Sequence, residues 1–485
     1  MLFNSYEFIF LFLPITLIIF HLIGKIGNYW FSITWLVLAS LFFYGWWNPA
    51  YLWLIVGSML FNYGVGTMIT SHPHKIFLTF GILINLILLG YFKYANFFVD
   101  NINIVLGNTF ILETIILPLA ISFFTFQQIA YLIDAYRGKT HETHFIQYAL
   151  FVTFFPQLIA GPIVNHKEMM PQFIKNNLCK LRMSHLSIGV TIFSIGLFKK
   201  LVLADGVAVY ANPIFDAAEA AKTLSFFEAW SGSLAYTLQL YFDFSGYSDM
   251  ATGLARIFGI YLPLNFNSPY KATNIIDFWR RWHITLSSFL RNYLYIPLGG
   301  NRKSEFRRNI NIMITMLIGG LWHGAGWTFI IWGGMHGFFL LVNHAWRNKF
   351  DNLKPTRMGN FIGWGLTMTI VVIAWVPFRA ESLDGALRIF WAMSGGNGFD
   401  FKYGLSDAFT WILFLSLISL LAPNTKQIMY KYHYASTTYF REASQIKYKS
   451  LEWKPTLLWL FFTLIVLISS ILSISNVSEF LYYQF

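Results

Sequence analysis

Stretches of about 20 mostly apolar residues, the length a helix needs to cross the hydrocarbon core of a bilayer, recur from one end of this 485-residue sequence to the other. They run at 6–24, 30–47, 51–69, 76–98, 110–133, 145–164, 186–204 and 226–244. Next come 247–262 and a broken stretch at 283–299, then 310–342, 361–378, 409–422 and 456–474. Gly, Pro or charge interrupts several of these, so roughly ten to twelve true crossings are expected, with the rest re-entrant or interfacial. No internal repeat, Pro- or Ser-rich linker or soluble end segment separates them, so one polytopic all-α membrane domain is expected over 1–485.

Composition removes the competing classes. Charged residues make up 12% of the chain, against about 25% in an ordinary soluble domain. A soluble globular protein and a long disordered region are both excluded. The single cysteine, Cys179, excludes a disulfide framework and any cysteine-based zinc site. The net charge of +12 does not imply nucleic acid, because Lys and Arg collect in the cytoplasmic loops of membrane proteins. Met1 to Glu7 carries no positive charge ahead of the first apolar run. The first run therefore reads as a retained transmembrane helix rather than a cleaved signal.

Loop charge predicts the orientation. Loops 165–185, 300–309 and 343–359 each carry a net +3, and 424–455 carries +4. Loops 203–229 and 379–408 carry −3 and −1. The basic loops are expected in the cytoplasm and the acidic ones outside. Both ends of 310–342 then lie on the cytoplasmic side, so this stretch enters the bilayer and returns, with its centre at membrane depth.

That centre reads Gly319-Gly320-Leu321-Trp322-His323-Gly324-Ala325-Gly326-Trp327. An ionisable residue inside a membrane segment costs several kcal/mol unless it has a partner or a task. Histidine suits acid–base chemistry because its ordinary pKa is about 6.5. The alternative is a hydrogen-bonded packing histidine. The glycines at 319, 320, 324 and 326 are expected to let other backbone, or a thin substrate arm, come close. His336 follows in Trp332-Gly333-Gly334-Met335-His336-Gly337, with a packing and a direct role equally open.

Upstream, Asp277-Phe278-Trp279-Arg280-Arg281-Trp282-His283-Ile284-Thr285-Leu286-Ser287 sets paired arginines between tryptophans ahead of another histidine. From 277 to 308 there are seven Arg/Lys and two acids. This exceeds what snorkelling needs and suits a polyanionic ligand or anionic lipid heads. In Gln239-Leu240-Tyr241-Phe242-Asp243, Gln239 and Asp243 share a helix face. They either line a tunnel, hold a histidine in one tautomer, or cap a helix. Phe155-Pro156-Gln157-Leu158-Ile159-Ala160-Gly161-Pro162 breaks another apolar helix. No Walker loop, HExxH or GxSxG motif is present in the sequence.

These blocks carry a resemblance. The sequence resembles membrane-bound O-acyltransferases of the alginate O-acetylation branch at Asp277 to Ser287 and at its continuation Leu290 to Asn301. It does so again at Gly320 to Trp327, Trp332 to Gly337, Gln239 to Asp249, Phe155 to Pro162 and Phe3 to Phe8. The similarity runs in order from near residue 1 to about 420, and is most specific at the two histidine blocks. The resemblance implies a funnel of about eleven transmembrane helices plus re-entrant pieces, in a bacterial cytoplasmic (inner) membrane. It implies that His323 is catalytic and His283 is the second active-site residue. It implies acetyl-CoA as cytoplasmic donor, with acetyl delivered to a periplasmic SGNH-type transferase or directly to a polysaccharide hydroxyl. No metal and no resident cofactor are expected. Arg280, Arg281, Arg302, Lys303, Arg307 and Arg308 are the expected contacts for the donor's phosphates. Asp243, Gln239 and His336 are supporting candidates.

Three other functions remain in view. Relatives of this fold O-acetylate peptidoglycan or move D-alanine onto teichoic acid from a carrier-protein thioester. Pro297-Leu298-Gly299-Gly300-Asn301 favours the acetylating branch. A proton-coupled transporter with a histidine relay belongs to a different class, and the absent repeat speaks against it.

Overall fold

The computed structural model describes residues 1–107, 110–140, 144–174, 182–350, 356–401, 404–436, 449–474 and 481. Cys179 lies outside these residues, as do the loop charges Lys175, Lys180, Asp351, Lys354, Lys402, Arg441, Glu442 and Lys447. Among the described residues the chain is helical, without strands. Five helical stretches are long and apolar enough to cross a membrane: Glu7–Ile26, Pro49–Ser71, Lys75–Leu106, Met183–Glu219 and Arg357–Arg379. Tyr29–Gly45, Leu405–Leu421 and Leu457–Leu472 are apolar but shorter. In the most apolar windows of Glu7–Ile26 and Lys75–Leu106 only 17% of residues are buried. Their outward Leu, Ile and Phe side chains have no core to enter, and such helices are stable only against lipid.

Several boundaries differ from the apolar runs. The stretch 110–133 becomes helical only from Ile121. Before it, the N–H groups of Ile115 and Phe110 donate to the side-chain oxygens of Asn96 and Asn103, so this segment is a loop held by side chains. The runs 226–244 and 247–262 merge into one 32-residue helix, Phe226–Ile257. Gly246 alone costs a helix only about 1 kcal/mol, and no proline lies between the two runs.

The residues group into two compact units, each visited more than once by the chain. The first comprises Met1–Leu197, Tyr247–Leu264 and Met429–Glu479. Its centre is aromatic: Phe155 packs on Phe8, Phe12, Phe43 and Phe258 at 5.3–6.1 Å between ring centroids. Polar pairs bind its helices where lipid offers no hydrogen bonds. Asn62 and Asn85 exchange amide bonds at 3.1 and 2.7 Å between neighbouring helices.

The second unit comprises Phe198–Gly246, Asn265–Ile428 and Phe480–Phe485. Its central motif is a hairpin of two antiparallel helices, Glu305–His323 and Trp327–Lys349. Ser304 caps the first helix by accepting from the Arg307 N–H. Asn348 donates to Glu305 at 2.6 Å, which ties the two open ends together. The stretch 310–342 is thus part of a helical hairpin, turned at Gly324-Ala325-Gly326.

Glycine decides how closely the two helices approach. A Cβ on Gly320 would sit 2.2 Å from the Phe329 carbonyl oxygen, and one on Gly333 would sit 2.3 Å from that of Met316. The backbones touch there, as small residues permit in membrane helices. A Cβ on Gly324 would meet the Phe329 ring at 2.1 Å, and one on Gly319 would meet Leu290 at 3.2 Å. Of the two expected occupants, backbone takes the space beside Gly320, and side chains rather than a substrate arm stand against Gly319 and Gly324.

Candidate active site

Every expected histidine belongs to the second unit. His323 ends the first hairpin helix and is 5% exposed. Its ring lies 5.0 Å from Trp322, 5.0 Å from Trp332 and 5.2 Å from Phe378, centroid to centroid. The His283 ring lies 6.5 Å away. Two histidines 40 positions apart in sequence therefore face one another inside a box of aromatic side chains.

The local backbone explains how His283 gets there. It joins two short helices, Ile275–Arg281 and Ile284–Leu290, and adopts a left-handed conformation with φ +41°. A non-glycine residue in that region costs of order 1 kcal/mol, and such strain is held where the surroundings fix it. Asn265 is what fixes it. Its backbone carbonyl accepts from Ile284 N–H at 2.9 Å. Its side-chain oxygen accepts from Thr285 N–H at 3.4 Å and Thr285 O–H at 2.9 Å. The same oxygen is 3.0 Å from His283 Nδ1. Because the Thr285 amide can only donate, this atom is an acceptor, and Nδ1 must carry the proton. In the neutral ring, Nε2 then holds the lone pair.

His336 is fully buried. Trp279 donates to its Nδ1 at 3.3 Å, and its ring is 4.9 Å from Trp332. Trp332 thus lies against both His323 and His336, and His336 backs the box.

Asp243 does not hold a histidine. It pairs with Lys200 at 2.8 Å, accepts from the Leu481 N–H at 3.2 Å, and is 1% exposed. Lys200 also reaches Asp205 at 2.9 Å. The tautomer role proposed for Asp243 is filled by Asn265. The neighbour of Asp243, Phe244, meets the His283 ring edge-on at 4.8 Å. Gln239 is buried, and its Oε1 has no hydrogen-bond partner among the described residues.

The basic residues separate into two groups. Arg302, Lys303 and Arg308 line a half-open cavity of about 600 Å³ together with Arg291, Asn301, His344 and Asn348. Arg307 is exposed but does not line it. Arg281 is held by Asp277 at 2.9 Å and Arg280 is exposed, and neither reaches the cavity. From Arg308 to His323 the helix rises about 22 Å, so the cavity and the histidines occupy opposite ends of the hairpin.

The sequence profile of the MBOAT, membrane-bound O-acyltransferase family, matches residues 135–377, which contain the histidines, the hairpin and the cavity. Over 469 residues the chain is 47% identical to a peptidoglycan O-acetyltransferase of Helicobacter pylori, covering 90% of this chain and 87% of the relative. The chain belongs to the membrane-bound O-acyltransferase family. It is an acyltransferase. It is also 45% identical over 403 residues to a probable alginate O-acetylase AlgI of Pseudomonas aeruginosa, covering 81% of this chain and 75% of that one. A teichoic acid D-alanyltransferase of Streptococcus thermophilus is 30% identical over 249 residues, covering 49% and 60%.

Membership in this acyltransferase family sets the transporter reading aside. Asn265, Arg291, His344 and Lys200 stand in these arrangements but lie outside the site residues expected from sequence. Lys200 carried a usable signal, since it is an ionisable residue inside the apolar run 186–204. Arg291 stood in the block Leu290-Arg291-Asn292 that carries the family resemblance. Asn265 carried none, because it acts through a fold-dependent contact.

Proposed function

We propose that this acyltransferase takes acetyl from cytoplasmic acetyl-CoA and delivers it across a bacterial inner membrane to a polysaccharide hydroxyl or to a periplasmic SGNH-type partner. The observation that supports this most is the His323–His283 pair, 6.5 Å apart in a buried aromatic box. One histidine removes the proton of the acceptor hydroxyl as its oxygen attacks the thioester carbonyl. The tetrahedral centre collapses, the C–S bond breaks, and the coenzyme thiolate leaves and takes up a proton. Burial strengthens each of these electrostatic contacts. The reaction so written uses acetyl-CoA as a substrate and no resident cofactor. About eleven membrane helices forming a funnel is the architecture we assign to it.

The sequence blocks favour the acetylating branch, with an alginate-like or other cell-surface glycan as acceptor. Peptidoglycan is a second reading, favoured by the 47% identity that extends over 90% of the chain to a protein so named. D-alanyl transfer has less support, because that resemblance spans about half of the chain.

The four cations of the 600 Å³ cavity, Arg291, Arg302, Lys303 and Arg308, are the donor-phosphate contacts in this proposal. Purified protein should release coenzyme A from acetyl-CoA when an acceptor is supplied. Replacing Arg302, Lys303 and Arg308 by Gln should raise the KM for acetyl-CoA about tenfold or more with kcat nearly kept, as lost ground-state binding does. Arg280→Gln, outside the cavity, should change neither. An unchanged KM in the triple variant would remove the donor site from this cavity.

Transfer across the membrane requires opposite faces for the two substrates. In a Cys179→Ser background, Glu305→Cys and Asp400→Cys should react with an impermeant maleimide from opposite sides of sealed cells or vesicles. Labelling of both from one side would overturn the topology and the cross-membrane mechanism together.

A further inference from the structure

The first unit carries a buried cation that acyl transfer does not use. Arg256 lies in the last turn of the helix Phe226–Ile257 and is 5% exposed. Its guanidinium carbon sits 3.9 Å from the centroid of the Tyr261 ring. Nη2 donates to the Tyr432 carbonyl in a long bond of 3.3 Å. Nε and Nη1 are enclosed and have no hydrogen-bond partner among the described residues. Among the described residues, the carboxylates of the adjoining segments are engaged elsewhere. Asp249 accepts from the Tyr434 hydroxyl, Glu452 pairs with Lys431 at 2.9 Å, and Glu168 accepts from Ser436. The His185 ring meets the Tyr261 ring edge-on at 6.3 Å, and His185 lies within electrostatic range of both Arg256 and Arg182.

A guanidinium withdrawn from water without a counter-charge is unfavourable, and breaking or omitting the partner of such a group is among the costlier defects a fold can carry. The negative end of its own helix offsets part of this. A planar fork with free N–H groups matches the paired oxygens of a phosphate. We propose that Arg256, with Arg182 and His185 at its rim, binds a phosphate-bearing anion that replaces the Tyr432 carbonyl and moves the short turn Tyr430–Tyr432 aside. Arg182 and Tyr432 belong to loops 165–185 and 424–455, both basic. Loops of that kind lie against the leaflet that carries anionic phospholipid. The phosphate comes from a lipid headgroup or from a soluble phosphate.

The test is the thermal midpoint of the purified full-length protein, titrated with phosphatidylglycerol, with diacylglycerol of the same chains, and with inorganic phosphate. The wild type should show a saturable rise with phosphatidylglycerol and none with diacylglycerol. A matching rise with inorganic phosphate alone would support the site with a soluble ligand as its source. Arg256→Gln should weaken the apparent affinity about tenfold or more, the scale of one charge-assisted contact. Arg182→Gln, at an exposed position, should weaken it a few-fold and serves where Arg256→Gln does not fold, with Arg256→Lys beside it. Absence of any phosphate-dependent rise in the wild type would overturn the proposal. So would an affinity left at the wild-type value in both Arg182→Gln and the Arg256 variant that folds.

Discussion

Replacing His323 by alanine should lower acyl transfer by about 10²–10⁴-fold, the range that general acid–base catalysis contributes, while the protein still inserts and purifies as one species. The loss should fall on kcat. The basic cavity lies about 22 Å along the helix from His323, so the KM for acetyl-CoA should stay within a few-fold of the wild type. His323 is packed by Trp322, Trp332 and Phe378, and alanine leaves a void among them. Some stability will be lost as well. Size-exclusion profile and thermal midpoint in detergent separate this from chemistry. Acyl transfer at the wild-type rate in His323→Ala would remove this residue from the mechanism.

Gly320→Ala should destabilise the hairpin by about 3 kcal/mol or more, the upper range for overpacking where the neighbour cannot yield. The neighbour here is the Phe329 carbonyl oxygen, 2.2 Å from the added Cβ, and it cannot move without shifting its helix. Alanine gains about 1 kcal/mol over glycine in helix propensity, which the clash outweighs. Gly334→Ala makes the opposite prediction. Its Cβ would meet only Leu317, at 3.5 Å, an ordinary contact. That variant should be neutral or up to about 1 kcal/mol more stable. Thermal midpoints of the two variants check both signs at once. Equal behaviour of the pair would show that backbone contact between the two helices does not set the hairpin's stability.

The membrane character of the chain, the return of 310–342 to its starting side and the two histidine blocks are legible in the residues alone. Each depends on local information: the hydropathy of a run, the charge of the flanking loops, or an ionisable side chain in an apolar setting. A single run also misleads where its ends depend on other segments. The stretch 110–120 is apolar enough to be helical, yet Asn96 and Asn103 from a preceding helix bond its backbone.

The composition of the site was decided in three dimensions. His283 and His323 meet only because a strained junction and a hairpin tip are folded together. Asn265 holds His283 because its oxygen already accepts from Thr285, a contact with no periodicity to reveal it. Asp243 had the chemistry to hold a histidine, but Lys200 is 2.8 Å away, and a buried carboxylate is best stabilised by the nearest cation. Of the glycines beside His323, Gly320 admits a neighbouring backbone while Gly319 and Gly324 admit side chains, because an absent Cβ does not specify what will occupy its space. Sequence thus determined which side chains are able to do chemistry in a membrane. Tertiary structure alone decided which of them are paired, filled or left facing one another, since hydrogen bonds and contacts act over a few ångströms in space and have no fixed spacing along the chain.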